Sequence, residues 1–342
     1  MEPRYNCCGN RHCPQCQGQK SAEWVESRAE KLLPVGHFQV VFTVPEELRP
    51  LALQNQELFY DLMFSAAAET LETLAKDCLN ARLGFTIVLH TWSRALALHP
   101  HVHCIVSGGG LDLCSEEWVD TKPDYLFPEA RMRALFRSRL LQGVYAAYRS
   151  KELKLAGSIA ELEDPIRFGG VIRRLWRAKW VVNIQAPFGS PEHILKYLGS
   201  YTHRVGISNA RLMYADDKKV CFVTRDQETV TVSPEEFIRR FLLHVLPASF
   251  HKIRHYGLYS SYGIRVLLSV AIAALREARD VEGPAAVERL EQSLAEMTAN
   301  SAVCGREPEV CPACGRGVLV VLCDAIPATA PRRSGPDAQD TS

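Results

Sequence analysis

Residues 99–111, HPHVHCIVSGGGL, decide how this chain is read. From His99 to Ser107 the mixture of β-branched and apolar residues predicts a strand, and the run Gly108-Gly109-Gly110 predicts its end. Side chains on a strand alternate between faces, so the imidazoles of His101 and His103 project together while Val102 and Cys104 point into a core. Such a pair is half of a metal site. Imidazoles suit Zn, Mn, Ni or a hydrated Mg helped by oxygen ligands, and a third protein ligand is required. His90, at the end of a preceding predicted strand GFTIVLHTW (84–92), reaches the same face if the two strands pair, and His37 stands behind it as a second choice. The two ligands are expected on an exposed edge of the sheet.

Working outward, HFQVVFTV (37–44) has the residue types of another strand, and Asn55 to Leu79, rich in Leu, Ala and Glu, is a long helix. A helix is expected over Ser21 to Leu33, stopped by Pro34-Val35-Gly36. Further helices are expected over Pro128 to Tyr148 and Asp164 to Arg177, with WVVNIQ (180–185) returning as a strand. Ser190-Pro191-Glu192 places a capping hydroxyl before a proline at the first helical position, so a helix should begin there and carry Tyr197 and Tyr201. Two or three short strands follow over Arg211 to Val232. Ser233-Pro234-Glu235-Glu236 is a second helix start with a capping-box glutamate, and Leu258 to Thr298 reads as mostly helical.

The 342 residues, 47% hydrophobic and 23% charged, are enough to bury a sizeable core and exclude a disordered chain. The apolar runs Val266 to Leu275 and Val318 to Cys323 are far too short to span a bilayer, and no apolar stretch opens the chain as a signal peptide would. A soluble cytoplasmic protein with no membrane partner is the expectation. Net charge is only +1, but it is unevenly spread: between Arg167 and His255 there are fifteen Lys and Arg against seven Asp and Glu, or +8, leaving −7 elsewhere. That asymmetry fits a polyanion-binding face. Trp176, Trp180, Tyr197 and Tyr201 lie in the same segment and can stack on exposed bases.

Tyr197 and Tyr201 are spaced i, i+4, so on a helix their hydroxyls emerge on one side, one turn apart. Lys196, Thr202, His203 and Arg204 make those surroundings cationic, which favours loss of a phenolic proton and hence a nucleophile. FTV (42–44), HPHVHCIV (99–106) and KYLGSYTHR (196–204) together resemble the motifs of HUH-superfamily rolling-circle nucleases. More closely, NRHCPQC (10–16), LLPVGHFQVVFTVPEELR (32–49), HPHVHCIVSGGGL (99–111), APFGSPEHILKYLGSYTHRVGISN (186–209) and EEFIRRFLLHVLPASFHKIRHYG (235–257) are similar to the two-tyrosine transposases of the insertion-sequence ninety-one type. The resemblance covers roughly residues 5 to 320 in the same order.

The resemblance implies an α+β fold with an HUH-type core, a mainly antiparallel sheet flanked by helices, and small zinc-binding segments at the ends. It implies His101 and His103 as ligands of a catalytic Mg or Mn, with His90 added from strand geometry, and Tyr197 and Tyr201 as paired nucleophiles. These would act on single-stranded DNA of transposon ends and target. Lys196, His203, Arg204, Arg173, Arg174, Arg177 and Lys179 are the expected DNA contacts. Cys8, Cys13 and Cys16 have the spacing of a structural zinc site, with Cys7 or His12 as a fourth ligand; Cys311 and Cys314 mark a second cluster with Cys304 and Cys323 nearby. The expected organisation is a partial zinc-binding segment (1–20), the catalytic core (21–257), a helical region (258–300), a C-terminal cysteine cluster (301–325) and a disordered tail (326–342). Two rival readings are a metal-dependent hydrolase, against which HPHVHC lacks the aspartate of an HxHxDH pattern, and a non-catalytic zinc-ribbon DNA-binding relative.

Overall fold

The computed structural model describes residues 31–187, 207, 211–224 and 228–279, and the backbone of 309–310 and 318–319. Its strands in chain order are β1 (His37–Thr43), β2 (Arg82–Trp92), β3 (Leu98–Leu111), β4 (Trp118–Asp120) and β5 (Val181–Gln185). A separate meander follows, β6 (Leu212–Ala215), β7 (Val220–Val223) and β8 (Thr229–Val232), and then β9 (Ile253–Gly257). The main sheet has the order β5-β1-β3-β2-β9, every pair antiparallel, with β4 extending it beside the end of β3. The helices are α1 (Arg49–Gln54), α2 (Gln56–Leu79), α3 (Glu129–Arg149), α4 (Pro165–Arg177), α5 (Pro234–Leu242) and α6 (Leu268–Arg279).

The sheet has two chemically different faces because its strands alternate. Phe38, Val40 and Phe42 of β1, Phe85, Ile87 and Leu89 of β2, and Val102, Cys104 and Val106 of β3 all bury their side chains in one core with α2 and α3. Phe42 meets Phe136 of α3 at 4.7 Å between ring centroids. Each such side chain contributes roughly 1.5–3 kcal/mol on burial, and this sets the register, since a one-residue slip would turn the whole set outward. The opposite face carries His37, Gln39, Thr43, Thr86, His90, His99, His101, His103 and Ser107.

Three expectations are corrected. The strand of the histidine pair lies at the centre of the sheet, between β1 and β2, and not at an edge. The glycine run does not end it either: β3 continues through Gly108, Gly109 and Gly110 to Leu111. A Cβ at Gly108 would sit 2.7 Å from the Gly36 carbonyl oxygen, at Gly109 2.7 Å from the Trp118 ring, and at Gly110 2.7 Å from the Arg82 carbonyl oxygen. The glycines therefore admit neighbouring backbones and the Trp118 indole where side chains cannot fit. Finally, the helix expected over Ser21 to Leu33 does not reach its expected end, since Lys31 lies in a turn, Leu32 in a bend and Leu33 in no regular element, while its earlier part lies outside the described residues.

Other elements follow their local signals. Asp164 caps α4 by accepting from the Ile166 N–H at 2.8 Å, and Ser233 caps α5 by accepting from the Glu236 N–H at 3.3 Å. The helix after Leu258 is described from a π-helical turn at Gly263–Leu267 to Arg279. Residues 296–342 form a separate unit, in which β10 (Glu309–Val310) pairs antiparallel with β11 (Val318–Leu319). In sequence, Cys311 and Cys314 fall between these two strands.

Candidate metal centre

Strand register brings three histidines together. His90 of β2 and His101 of β3 are directly opposed, and His103 follows two residues along β3, on the same face. One ring nitrogen from each of the three lies within 4.8 Å of the others. Ring centroids are separated by 5.3 Å (His90–His101), 4.5 Å (His90–His103) and 5.0 Å (His101–His103). His90 and His103 are nearly buried, with 3% and 9% of their surfaces exposed. Trp92 stacks on His90 at 5.0 Å and 18° between planes, closing one side.

The rings are oriented by groups behind them. Nδ1 of His101 lies 2.7 Å from the His99 carbonyl oxygen, so Nδ1–H donates there and Nε2 keeps its lone pair. Burial pushes the His101 pKa down to about 4, which keeps the ring in the neutral, ligating form at neutral pH. Nδ1 of His103 lies 3.1 Å from the side-chain amide nitrogen, Nε2, of Gln39. His99 has a guanidinium nitrogen of Arg49 3.5 Å from its Nδ1, and burial followed by the charge of Arg49 lowers its pKa. Three imidazoles converging from two paired strands fit a divalent transition metal, with coordination positions left over for oxygen ligands. Gln39, Trp92 and Arg49 escaped the reading of the sequence. The one signal for Gln39 was a polar residue at an alternate position in HFQVVFTV.

The remaining expected residues are distributed as follows. His37, the second choice of third ligand, is excluded: it sits opposite Ser107, two side-chain steps beyond His103 on that face. Its Nδ1 bonds the Val35 carbonyl at 2.8 Å and its Nε2 meets the Tyr259 hydroxyl at 2.6 Å. Arg173, Arg174, Arg177 and Lys179 are exposed on or just after α4, beside the exposed Trp176, whose ring lies 5.1 Å from the Arg137 guanidinium. Lys179 precedes Val181, which pairs with Thr43, itself opposite His101. Lys179 thus lies just before the edge strand β5, two strands or about 10 Å from β3. Trp180 is no stacking platform: it is buried, and its indole N–H donates to the Leu175 carbonyl at 2.9 Å. Tyr197, Tyr201, Lys196, His203, Arg204, Cys8, Cys13, Cys16, Cys311 and Cys314 lie outside the described residues.

A mainly antiparallel sheet flanked by helices, with a His-x-His pair on its central strand, is the architecture of an HUH-type core. Comparison with known proteins carries the assignment further. The family model described as "Putative transposase" matches residues 84–265, and the model described as "Transposase zinc-binding domain" matches residues 1–44. The chain is 39% identical over 333 residues to "Putative transposase y4qJ" of Sinorhizobium fredii (strain NBRC 101917 / NGR234), covering 93% of this chain and 81% of that protein. It is 27% identical over 258 residues to "Transposase for insertion sequence element IS801" of Pseudomonas savastanoi pv. phaseolicola, covering 74% of this chain and 61% of that one. No solved structure matches it significantly. The chain belongs to the transposases of the insertion-sequence ninety-one type, enzymes whose partner is DNA. Among the described residues no helix is long and apolar enough to cross a membrane.

Proposed function

We propose that this transposase nicks and rejoins single-stranded DNA through 5′-phosphotyrosine intermediates and so moves an insertion sequence by a rolling-circle route. The observation that supports this most is the convergence of His90, His101 and His103 on one face of the sheet. These three would hold Mg or Mn, which when bound would polarise a scissile phosphate and stabilise charge in the transition state. Mg takes imidazole ligands poorly and needs oxygen partners, so Mn suits this donor set better and DNA phosphate oxygens would complete either.

Tyr197 and Tyr201 are the nucleophiles in this reading. The Oη of one attacks phosphorus in line as the bond to the 3′ oxygen breaks; the phenolic proton is lost and the departing 3′ oxygen gains one. The products are a 3′ hydroxyl and a 5′ phosphotyrosine. One phosphodiester replaces another, so rejoining needs no ATP, and the second tyrosine allows another strand to be cut before the first is released. Other tyrosines are poorer candidates: burial raises the pKa of Tyr60 and pushes Tyr256 up to about 12, and the Asp216 carboxylate beside Tyr214 raises that one.

Arg173, Arg174, Arg177 and Lys179, with Lys196, His203 and Arg204, would track the phosphate backbone. Zinc held by Cys8, Cys13 and Cys16, and by Cys311 and Cys314, would fold the end segments (1–20 and 301–325), and the catalytic core would span 21–257. The work would be done in the cytoplasm, on nucleoid DNA. The test is incubation with single-stranded DNA and Mn followed by denaturing electrophoresis. A detergent-resistant protein–DNA adduct that requires the metal supports the reading. Binding without adduct would point to a zinc-ribbon DNA-binding protein, and free cut DNA without adduct to a metal-dependent hydrolase.

A further inference from the structure

We propose that Gln39 is the positioning residue of the metal centre, its amide carbonyl taking the Nδ1–H of His103 so that Nε2 of that ring faces the ion. The inference rests on the metal reading of the His90, His101 and His103 cluster and adds a residue to it. Gln39 lies on β1 with its side chain on the histidine face, opposite Ile105 of β3 and Gln185 of β5. It is 2% exposed, and a buried amide is costly unless it is hydrogen-bonded. Its amide nitrogen Nε2 is placed 3.1 Å from His103 Nδ1, and exchanging the two amide ends puts the carbonyl oxygen at the same position.

The two ends of an amide have nearly the same shape, and opposite consequences follow from which one meets the ring. With the amide nitrogen toward Nδ1, that ring nitrogen must be an acceptor, the proton moves to Nε2, and His103 is no ligand. With the carbonyl oxygen toward Nδ1, the ring carries its proton there and offers the Nε2 lone pair. His101 already has this second arrangement, donating to the fixed carbonyl of His99. At His103 the atom placed against Nδ1 is the Gln39 amide nitrogen, and a metal-ligating His103 requires the amide turned end for end, so that the carbonyl oxygen occupies that position as the side-chain equivalent of the His99 carbonyl. Removing a partner that orients a metal-ligating ring from behind typically weakens metal binding about 10–100-fold. The amide is neutral, so unlike a carboxylate it orients the ring without strengthening its basicity.

The experiment is calorimetric titration of the full chain with Mn2+ alone, with no DNA, for wild type, Gln39→Met, Gln39→Glu and His101→Ala. Gln39→Met keeps the volume and removes the hydrogen bond; circular dichroism checks that it folds. The expected result is about 10–100-fold weaker Mn2+ binding in Gln39→Met, with wild-type or tighter binding in Gln39→Glu, which still accepts from Nδ1–H. Nitrogen chemical shifts of His103, recorded with diamagnetic Zn2+ in place of Mn2+, should show the Nδ1–H form in metal-bound wild type and in Gln39→Glu. Gln39→Met binding Mn2+ as wild type does, while His101→Ala loses it, would overturn the role of Gln39 and leave the metal site standing. Equal losses in Gln39→Met and Gln39→Glu would overturn it also. Absence of Mn2+ binding by wild type would remove the metal reading and this inference with it. If Gln39→Met does not fold, the Gln39→Glu titration and the His103 shifts decide alone.

Discussion

Replacing Val102 by aspartate should unfold the domain, whereas replacing either neighbour, His101 or His103, by alanine should not. Val102 is fully buried on the helix-packed face of the central strand, opposite Phe42 of β1 and Leu89 of β2. Removing the valine forfeits about 2 kcal/mol of burial. A carboxyl group left there without a partner costs several kcal/mol more, even if it takes up a proton to stay neutral. The sum, of order 5 kcal/mol or above, is comparable with the whole stability of a domain, typically about 5–15 kcal/mol. His101 and His103 lie on the other face, and each alanine variant gives up roughly one hydrogen bond, about 1 kcal/mol. Urea titration followed by far-ultraviolet circular dichroism measures both effects. A folded Val102→Asp with an unchanged midpoint, or a histidine variant as damaged as Val102→Asp, would mean that the faces are reversed and the register is wrong by one residue.

Acid should destabilise the metal-free protein through His37. Burial lowers its folded pKa to about 4 from an ordinary 6.5, so its stabilising contribution is complete above pH 6.5 and is lost as pH falls towards 4. The loss is about 3 kcal/mol, and thermal melts from pH 7.5 to 4 should show a shallower decline in His37→Asn. A triple Arg173→Gln, Arg174→Gln, Arg177→Gln variant should bind single-stranded DNA more weakly, with a salt dependence reduced by about 0.7 for each phosphate no longer neutralised; an unchanged slope in fluorescence anisotropy would make α4 a merely solvated face. Tyr197→Phe and Tyr201→Phe should each retain some adduct formation in vitro while abolishing complete transposition, since two successive transfers are needed. Full transposition by either would show that one tyrosine is enough.

Alternation made the centre of this fold legible. In HFQVVFTV, GFTIVLHTW and HPHVHCIV the apolar parity identifies the core face, and the histidines fall on the other parity, so the pairing of His90 with His101 followed once the strands were neighbours. Asp164 and Ser233 announced their helices because a cap is a local signal. Long-range facts were not legible in this way. Nothing within residues 99–111 says that β3 is flanked on both sides, and the glycines read as a strand end because their purpose, admitting Gly36, Trp118 and Arg82, depends on chain far away in sequence. The short edge strand β9 escaped for a similar reason: IRHYG is polar and takes its conformation from pairing with β2. His37 looked like a ligand by type, and its place opposite Ser107 together with its bonds to Val35 and Tyr259 removes it.

The central claim, covalent attack by the tyrosines of residues 196–204 at a site built by the three histidines, is tested most directly by locating the DNA on the protein. A single-stranded substrate labelled at its 3′ end should, with Mn, give a labelled adduct, while a 5′ label should leave with the free 3′-hydroxyl fragment. Proteolysis and mass spectrometry of that adduct should find the nucleotide on Tyr197 or Tyr201, and none should form in His101→Ala. A nucleotide on Tyr214 or Tyr256, a 5′ label retained on the protein, or an adduct undiminished in His101→Ala would contradict the account.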